Sequence, residues 1–126
     1  MRGIGFFLLA LACGPALGDW VEIAGTDEEV GTIFIDPATV QRFDDGMRWA
    51  WLMQDFKKAT EGGFLSYAGL VEFDCEKQRT RPIQTYFYAG HRTSGEVVKK
   101  TGGSINWTQV QADTSAQRML KFACAH

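Results

Sequence analysis

The sequence predicts an α+β domain: an antiparallel sheet of about six strands with a C-terminal helix held to one face by a disulfide. Two patterns carry this. Leu65, Tyr67, Gly69, Val71, Phe73 and Cys75 recur at every second position, the period of side chains that share one face of a strand. Ala116, Met119, Leu120, Ala123 and Cys124 recur with the spacing of one helical stripe, as in a helix packed on one side. Each run ends on a cysteine.

A chain of 126 residues makes one domain. Its first residues read as an export address. Met1-Arg2 is basic, and Ile4 to Ala12 is an apolar run too short to span a bilayer as a helix, which takes ~20 residues. The division is residues 1–18 as signal peptide and 19–126 as the folded domain, with cleavage after the small-x-small site Ala16-Leu17-Gly18. Leu9-Ala10-Leu11-Ala12-Cys13 offers a second reading, a lipoprotein signal with Cys13 lipidated, the route by which the chain would be held to a membrane. Both readings export the protein.

Export leaves Cys75 and Cys124 as an even pair in an oxidising compartment. Neither His91 nor His126 stands at ligand-like spacing to them, so a disulfide is expected rather than a metal site. It closes a loop of about fifty residues, for which the chain-entropy estimate is about 4 kcal/mol. Net charge is −2, without a long run of one sign, and no nucleic-acid partner is expected.

Taken in order, Trp20 to Ala24 alternates as a first strand. Gly25 to Glu29 is a polar turn whose acidic cluster, Asp27-Glu28-Glu29, reads as solvated. Val30 to Ile35 is the second strand. Asp36-Pro37 ends it, with Asp36 as cap of a single helical turn. Gln41 to Phe43 and Met47 to Phe56 form a hairpin about Asp44-Asp45-Gly46, a strong turn signal. Met47, Trp49, Trp51, Met53 and Asp55 share one face of the long strand. Arg48, Ala50, Leu52, Gln54 and Phe56 share the other. After the Leu65–Cys75 strand, Gln78 to Ala89 returns. Pro82 marks an edge or a bulge there, because proline donates nothing to a ladder. Alternation puts Arg79 and Arg81 with Ile83, Thr85 and Phe87, and Tyr86 and Tyr88 on the opposite face.

Gly90 to Asn106 is a long Gly/Ser/Thr-rich loop with a short strand over Glu96 to Lys99. Trp107 to Val110 leads into the helix. Thr114 and Gln117 form a capping-box pair, with Asp113 as the alternative cap. A ten-residue helix is about 15 Å long and covers about three strands. Several strands are apolar on both faces, so the second face needs a cover. Either a homodimer or a sheet curled into a half-barrel would supply it.

No catalytic signature is present: no G-x-S-x-G, H-E-x-x-H, P-loop or G-x-G-x-x-G. The chain reads as a non-enzyme without cofactor. Arg79, Arg81, His91, Arg92, Lys99 and Lys100 are the candidate partner-binding residues, and Trp49, Trp51, Tyr86 and Tyr88 the candidate interface aromatics. Solvated surface charge and ordinary core packing are the plain alternatives for each set. A hydrolase, or an inhibitor of one, would need a perturbed carboxylate such as Asp36 or Asp55.

Asp19-Trp20 opening a W-x-x-I, then Phe34-Ile35-Asp36-Pro37-Ala38-Thr39-Val40, Trp49-Ala50-Trp51-Leu52, Glu72-Phe73-Asp74-Cys75 and a terminal helix closing on Cys124 follow one another in this chain. That order is similar to the surface-adhesin protein E family of Gram-negative bacteria, over nearly the whole exported chain. The resemblance implies a cell-surface or periplasmic binding protein, with relatives that attach to host matrix and serum proteins such as vitronectin and laminin and can dimerise. It transfers no matrix-binding residue onto a numbered position. The expected function is therefore an exported, non-enzymatic adhesin for host matrix or serum proteins. The alternative is an envelope accessory protein that docks a partner of its own cell through the aromatic face.

Overall fold

The computed structural model describes residues 18–24 and 31–126. The expected signal segment up to residue 17, Cys13 with it, and the acidic turn Asp27-Glu28-Glu29 lie outside the described residues. The strands are β1 (Val21–Ala24), β2 (Thr32–Ile35), β3 (Gln41–Arg42), β4 (Met47–Asp55), β5 (Ser66–Asp74), β6 (Arg79–Tyr88), β7 (Val97–Thr101) and β8 (Thr108–Gln109), followed by helix α1 (Ser115–Ala125). One antiparallel sheet holds them in the order β1-β2-β4-β5-β6-β7. The two-residue strands β3 and β8 pair with β4 and β6 respectively.

Local chemistry explains the joints. Asp36 Oδ1 accepts from Ala38 N at 3.1 Å, and Pro37 follows as the first residue of a one-turn helix, Pro37–Thr39. An N-cap of this kind stabilises by about 1 kcal/mol. The hairpin turn ends on Gly46 at φ 82°, a left-handed conformation that glycine adopts without steric cost. At the start of α1, Thr114 Oγ1 accepts from Gln117 N at 3.2 Å. The Gln117 side chain reaches back to accept from Asp113 N at 3.0 Å, one residue before the cap.

Alternation in β4 and β5 holds throughout their pairing. Ala50 faces Val71, Leu52 faces Gly69, and Arg48 faces Phe73. The core cluster lies on this side: Ile35, Ala50, Leu52 and Phe73 from the sheet, Leu120 and Ala123 from α1. The helix packs against β1, β4 and β5. Cys75 and Cys124 form the disulfide, with Cα atoms 5.9 Å apart. The far end of the same side carries a second aromatic group, Phe56, Phe64, Tyr67 and Phe87, with ring centroids 4.6 to 6.0 Å apart.

Simple alternation fails in β6. Leu70 pairs with Gln84 and Val71 with Pro82, so Ile83 is the extra residue of a bulge. The bulge reverses the facing of everything before it. Arg79 and Arg81 therefore lie on the side of Gln84, Tyr86 and Tyr88, opposite Thr85 and Phe87, which corrects the facing read from the sequence. The physical reason is Pro82: it has no N–H for the ladder, and the strand absorbs that loss by inserting a residue.

Candidate functional site

Register lays out the side of the sheet that faces away from α1. Phe34, Met53, Ala68, Tyr86 and Lys100 form one cross-strand row. Trp51, Leu70 and Gln84 form the next. Trp49, Glu72 and Arg81 form a third, and Met47, Asp74, Arg79 and Gln109 a fourth. Trp51 and Tyr86 lie 6.1 Å apart between centroids, and Gln84 Nε2 donates to Tyr86 Oη at 3.0 Å. Trp107, just before β8, extends the third row: both guanidinium groups sit against its ring, Arg81 at 4.2 Å and Arg79 at 4.5 Å from the centroid.

One end of this side is covered by the chain itself. The one-turn helix His91–Thr93 folds over it. Buried Ser66 holds this turn, donating to Gly90 O at 2.7 Å and accepting from Thr93 N at 2.8 Å. Asp55 accepts from Arg92 N at 2.8 Å and pairs with His91 at 3.1 Å. Arg92 lies over the Phe34 ring, 4.6 Å from its centroid. Arg92 and Thr93 both hold left-handed φ, at 53° and 59°. Neither is glycine, so these hydrogen bonds offset a backbone cost of about 1 kcal/mol or more each.

The six predicted basic residues therefore do not form one patch. Arg79 and Arg81 are tied to Asp74 and Glu72, each at 2.8 Å, and stack on Trp107. His91 and Arg92 belong to the covering turn. Lys99 and Lys100 point to opposite faces of β7: Lys99 stands 5.5 Å from the Phe87 centroid on the helix side, and Lys100 stands 5.9 Å from that of Tyr86 on the other. Of the four predicted aromatics, Trp49, Trp51 and Tyr86 are half-buried on the open side, whereas Tyr88 is buried at 7% exposure beneath the covered end. Sequence reading missed Trp107, placed as a lead-in to the helix. It also missed the two carboxylate partners, Asp74 and Glu72, which sit opposite the arginines only because of the bulge.

Neither carboxylate raised as a hydrolase candidate is idle. Asp36 caps a turn and Asp55 secures another. Among the described residues, no three His, Cys, Asp or Glu side chains converge as a metal site.

Among the described residues, Asp74 is the one carboxyl with a resolved shift. Burial alone would raise its pKa, but N–H donors from Lys77 and Glu76 and the Arg79 guanidinium outweigh burial and hold it below the usual carboxylate value. The unfolded chain releases this proton near pH 4. A depressed folded pKa thus contributes stability that is present above about pH 4 and lost as pH falls through the folded value. Urea unfolding of the wild type is expected to show a lower midpoint at pH 3 than at pH 6. Asp74→Asn is expected to cost about 1–3 kcal/mol at pH 6 and to reduce the difference between the two pH values. An undiminished difference in the variant would remove Asp74 from the account.

Residues 20–125 match the family described as Surface-adhesin protein E. No curated protein sequence matches the chain. Solved structures of Haemophilus influenzae protein E have the same fold. Its selenomethionine form is 12% identical, with a TM-score of 0.65 over 90% of this chain and 93% of that one. Protein E from non-typeable Haemophilus influenzae is 16% identical, with a TM-score of 0.57 over 86% of this chain and 85% of that one. The family match spans nearly all of the described residues, and the chain belongs to the surface-adhesin protein E family, exported surface proteins of Gram-negative bacteria.

Proposed function

We propose that the protein is a non-enzymatic adhesin that holds a host matrix or serum protein against the open side of its sheet. One observation carries this reading. Trp49, Trp51, Tyr86 and Trp107 stand half-buried on the side that α1 does not reach, with Arg79, Arg81 and Lys100 among them. Tryptophan, tyrosine and arginine are the residues that supply most binding energy at protein interfaces. Rings already packed on neighbours lose little freedom when a partner covers them. Arg79 and Arg81 have their carboxylates and Trp107 as supports, so they are presented in fixed positions rather than as free surface charge.

Immobilised vitronectin and laminin, probed with residues 19–126 across a salt series, test the reading. Saturable binding is expected, weakening several-fold as ionic strength rises from low salt to above physiological, because exposed cations are screened. Absence of binding to both would overturn it. The same aromatic side supports a second reading, docking of a partner from the cell's own envelope. Cross-linked complexes in intact envelopes, with no affinity for host proteins, would select that alternative.

A further inference from the structure

We propose that the β3–β4 hairpin carries a separate subsite that takes the lysine or arginine side chain of a basic partner peptide. The site is an open cleft of about 200 Å³ lined by Phe43, Asp45, Met47, Trp49 and Glu72. Phe43 and Trp49 meet edge to face, with centroids 5.3 Å apart and planes at 62°, so the two rings make a corner. Phe43 is 40% exposed in the described structure, a large apolar ring left in solvent at the mouth of the cleft.

The two lining carboxylates set the kind of donor. Met47 N donates to Asp45 Oδ1 at 3.3 Å, and Arg81 Nε donates to Glu72 Oε1 at 2.8 Å. Each carboxylate thus keeps its second oxygen for another donor. Aromatic rings alone would accept any cation, including a quaternary ammonium. Carboxylates beside them favour a cation that carries N–H groups, and so a lysine or arginine side chain.

Among the described residues, none of the chain's own cations lines the cleft. Arg79 and Arg81 are stacked on Trp107. Arg42 pairs across from Arg48, on the side of the sheet opposite Trp49. Lys77, on the adjoining β5–β6 turn, makes no ion pair with Asp45 or Glu72 among the described residues. Asp44 and Glu76 add negative charge nearby: a Cβ at Gly46 would meet Glu76 Oε2 at 4.0 Å. Glu72 is neutralised by Arg81, so Asp45 and the flanking carboxylates supply the attraction.

Titrating the purified, isotope-labelled protein with acetyl-Gly-Lys-Gly-amide, and observing the Trp49 indole and Asp45 amide by NMR, tests the proposal. Both signals are expected to shift and saturate, while the same peptide with acetylated lysine leaves them in place. Asp45→Asn is expected to weaken binding about fivefold and Phe43→Ala about threefold, with Lys99→Glu unchanged. Equal shifts with the acetylated peptide, or undiminished affinity in both variants, would overturn the subsite. Peptide binding without attachment to vitronectin or laminin would keep the subsite and remove the adhesion reading; the reverse result would remove the subsite alone.

Discussion

Phe73→Ala is expected to destabilise the domain by about 4 kcal/mol and to lower its melting temperature by roughly 15–20 °C. Phe73 is fully buried, the largest side chain in that state among the described residues. It lies under α1 in the cluster of Ile35, Ala50, Leu52, Leu120 and Ala123. Truncation removes the whole ring and leaves a cavity that the neighbouring sheet cannot close over, so transfer and cavity costs add. Trp51→Ala provides the comparison. It removes a larger ring from the side without the helix, where Trp51 is half-buried, and should cost less than half as much. Thermal unfolding of the two variants measures the difference. Equal losses would mean that both sides are core and that no open face exists.

Cys124→Ser is expected to cost about 4 kcal/mol by chain entropy, since the bond to Cys75 spans a sequence separation of 49. The loop includes all of β6, β7 and β8, so its closure ties the edge of the sheet to the helix. The variant should leave Cys75 reactive to thiol reagents once the chain unfolds. Denatured wild type without reductant should show neither Cys75 nor Cys124 as a free thiol. Two reactive thiols there would contradict the bridge. Unfolding with and without reductant gives the same stability difference without a substitution, and agreement between the two routes separates the bond from the loss of a packed side chain.

Which parts of this fold could be read from residues alone follows from what sets each element. β5 is written in the period of its side chains, because Tyr67, Gly69, Val71 and Phe73 are buried or half-buried on the helix side and a slip would turn them to the other face. The helix stripe and its Thr114 cap are equally local, as are the Asp36-Pro37 turn and the Asp45-Gly46 turn. The bulge is different. Pro82 announces that the ladder breaks, but the choice of Ile83 as the extra residue depends on how β5 and β6 pair, and that pairing is tertiary. The facing of Arg79 and Arg81 was therefore hidden, and with it their carboxylates and Trp107. β8 has two residues and no period to detect. The turn at His91–Thr93 needs left-handed backbone at Arg92 and Thr93, which their sequence does not favour. Contacts from Ser66 and Asp55, far away in the chain, impose it.

Facing separates the two adjacent candidate lysines as well. Lys99 and Lys100 are neighbours in the chain but lie over rings on opposite sides of the sheet, Phe87 and Tyr86 respectively. Comparing Lys100→Glu with Lys99→Glu for attachment to immobilised vitronectin and laminin, at one ionic strength, tests the open face most directly. Both are exposed edge positions, so folding should be little affected. The expected result is that Lys100→Glu weakens binding about fivefold or more while Lys99→Glu stays within about twofold of the wild type. Equal effects from the two, or a larger loss from Lys99→Glu, would contradict the assignment of binding to the side away from the helix.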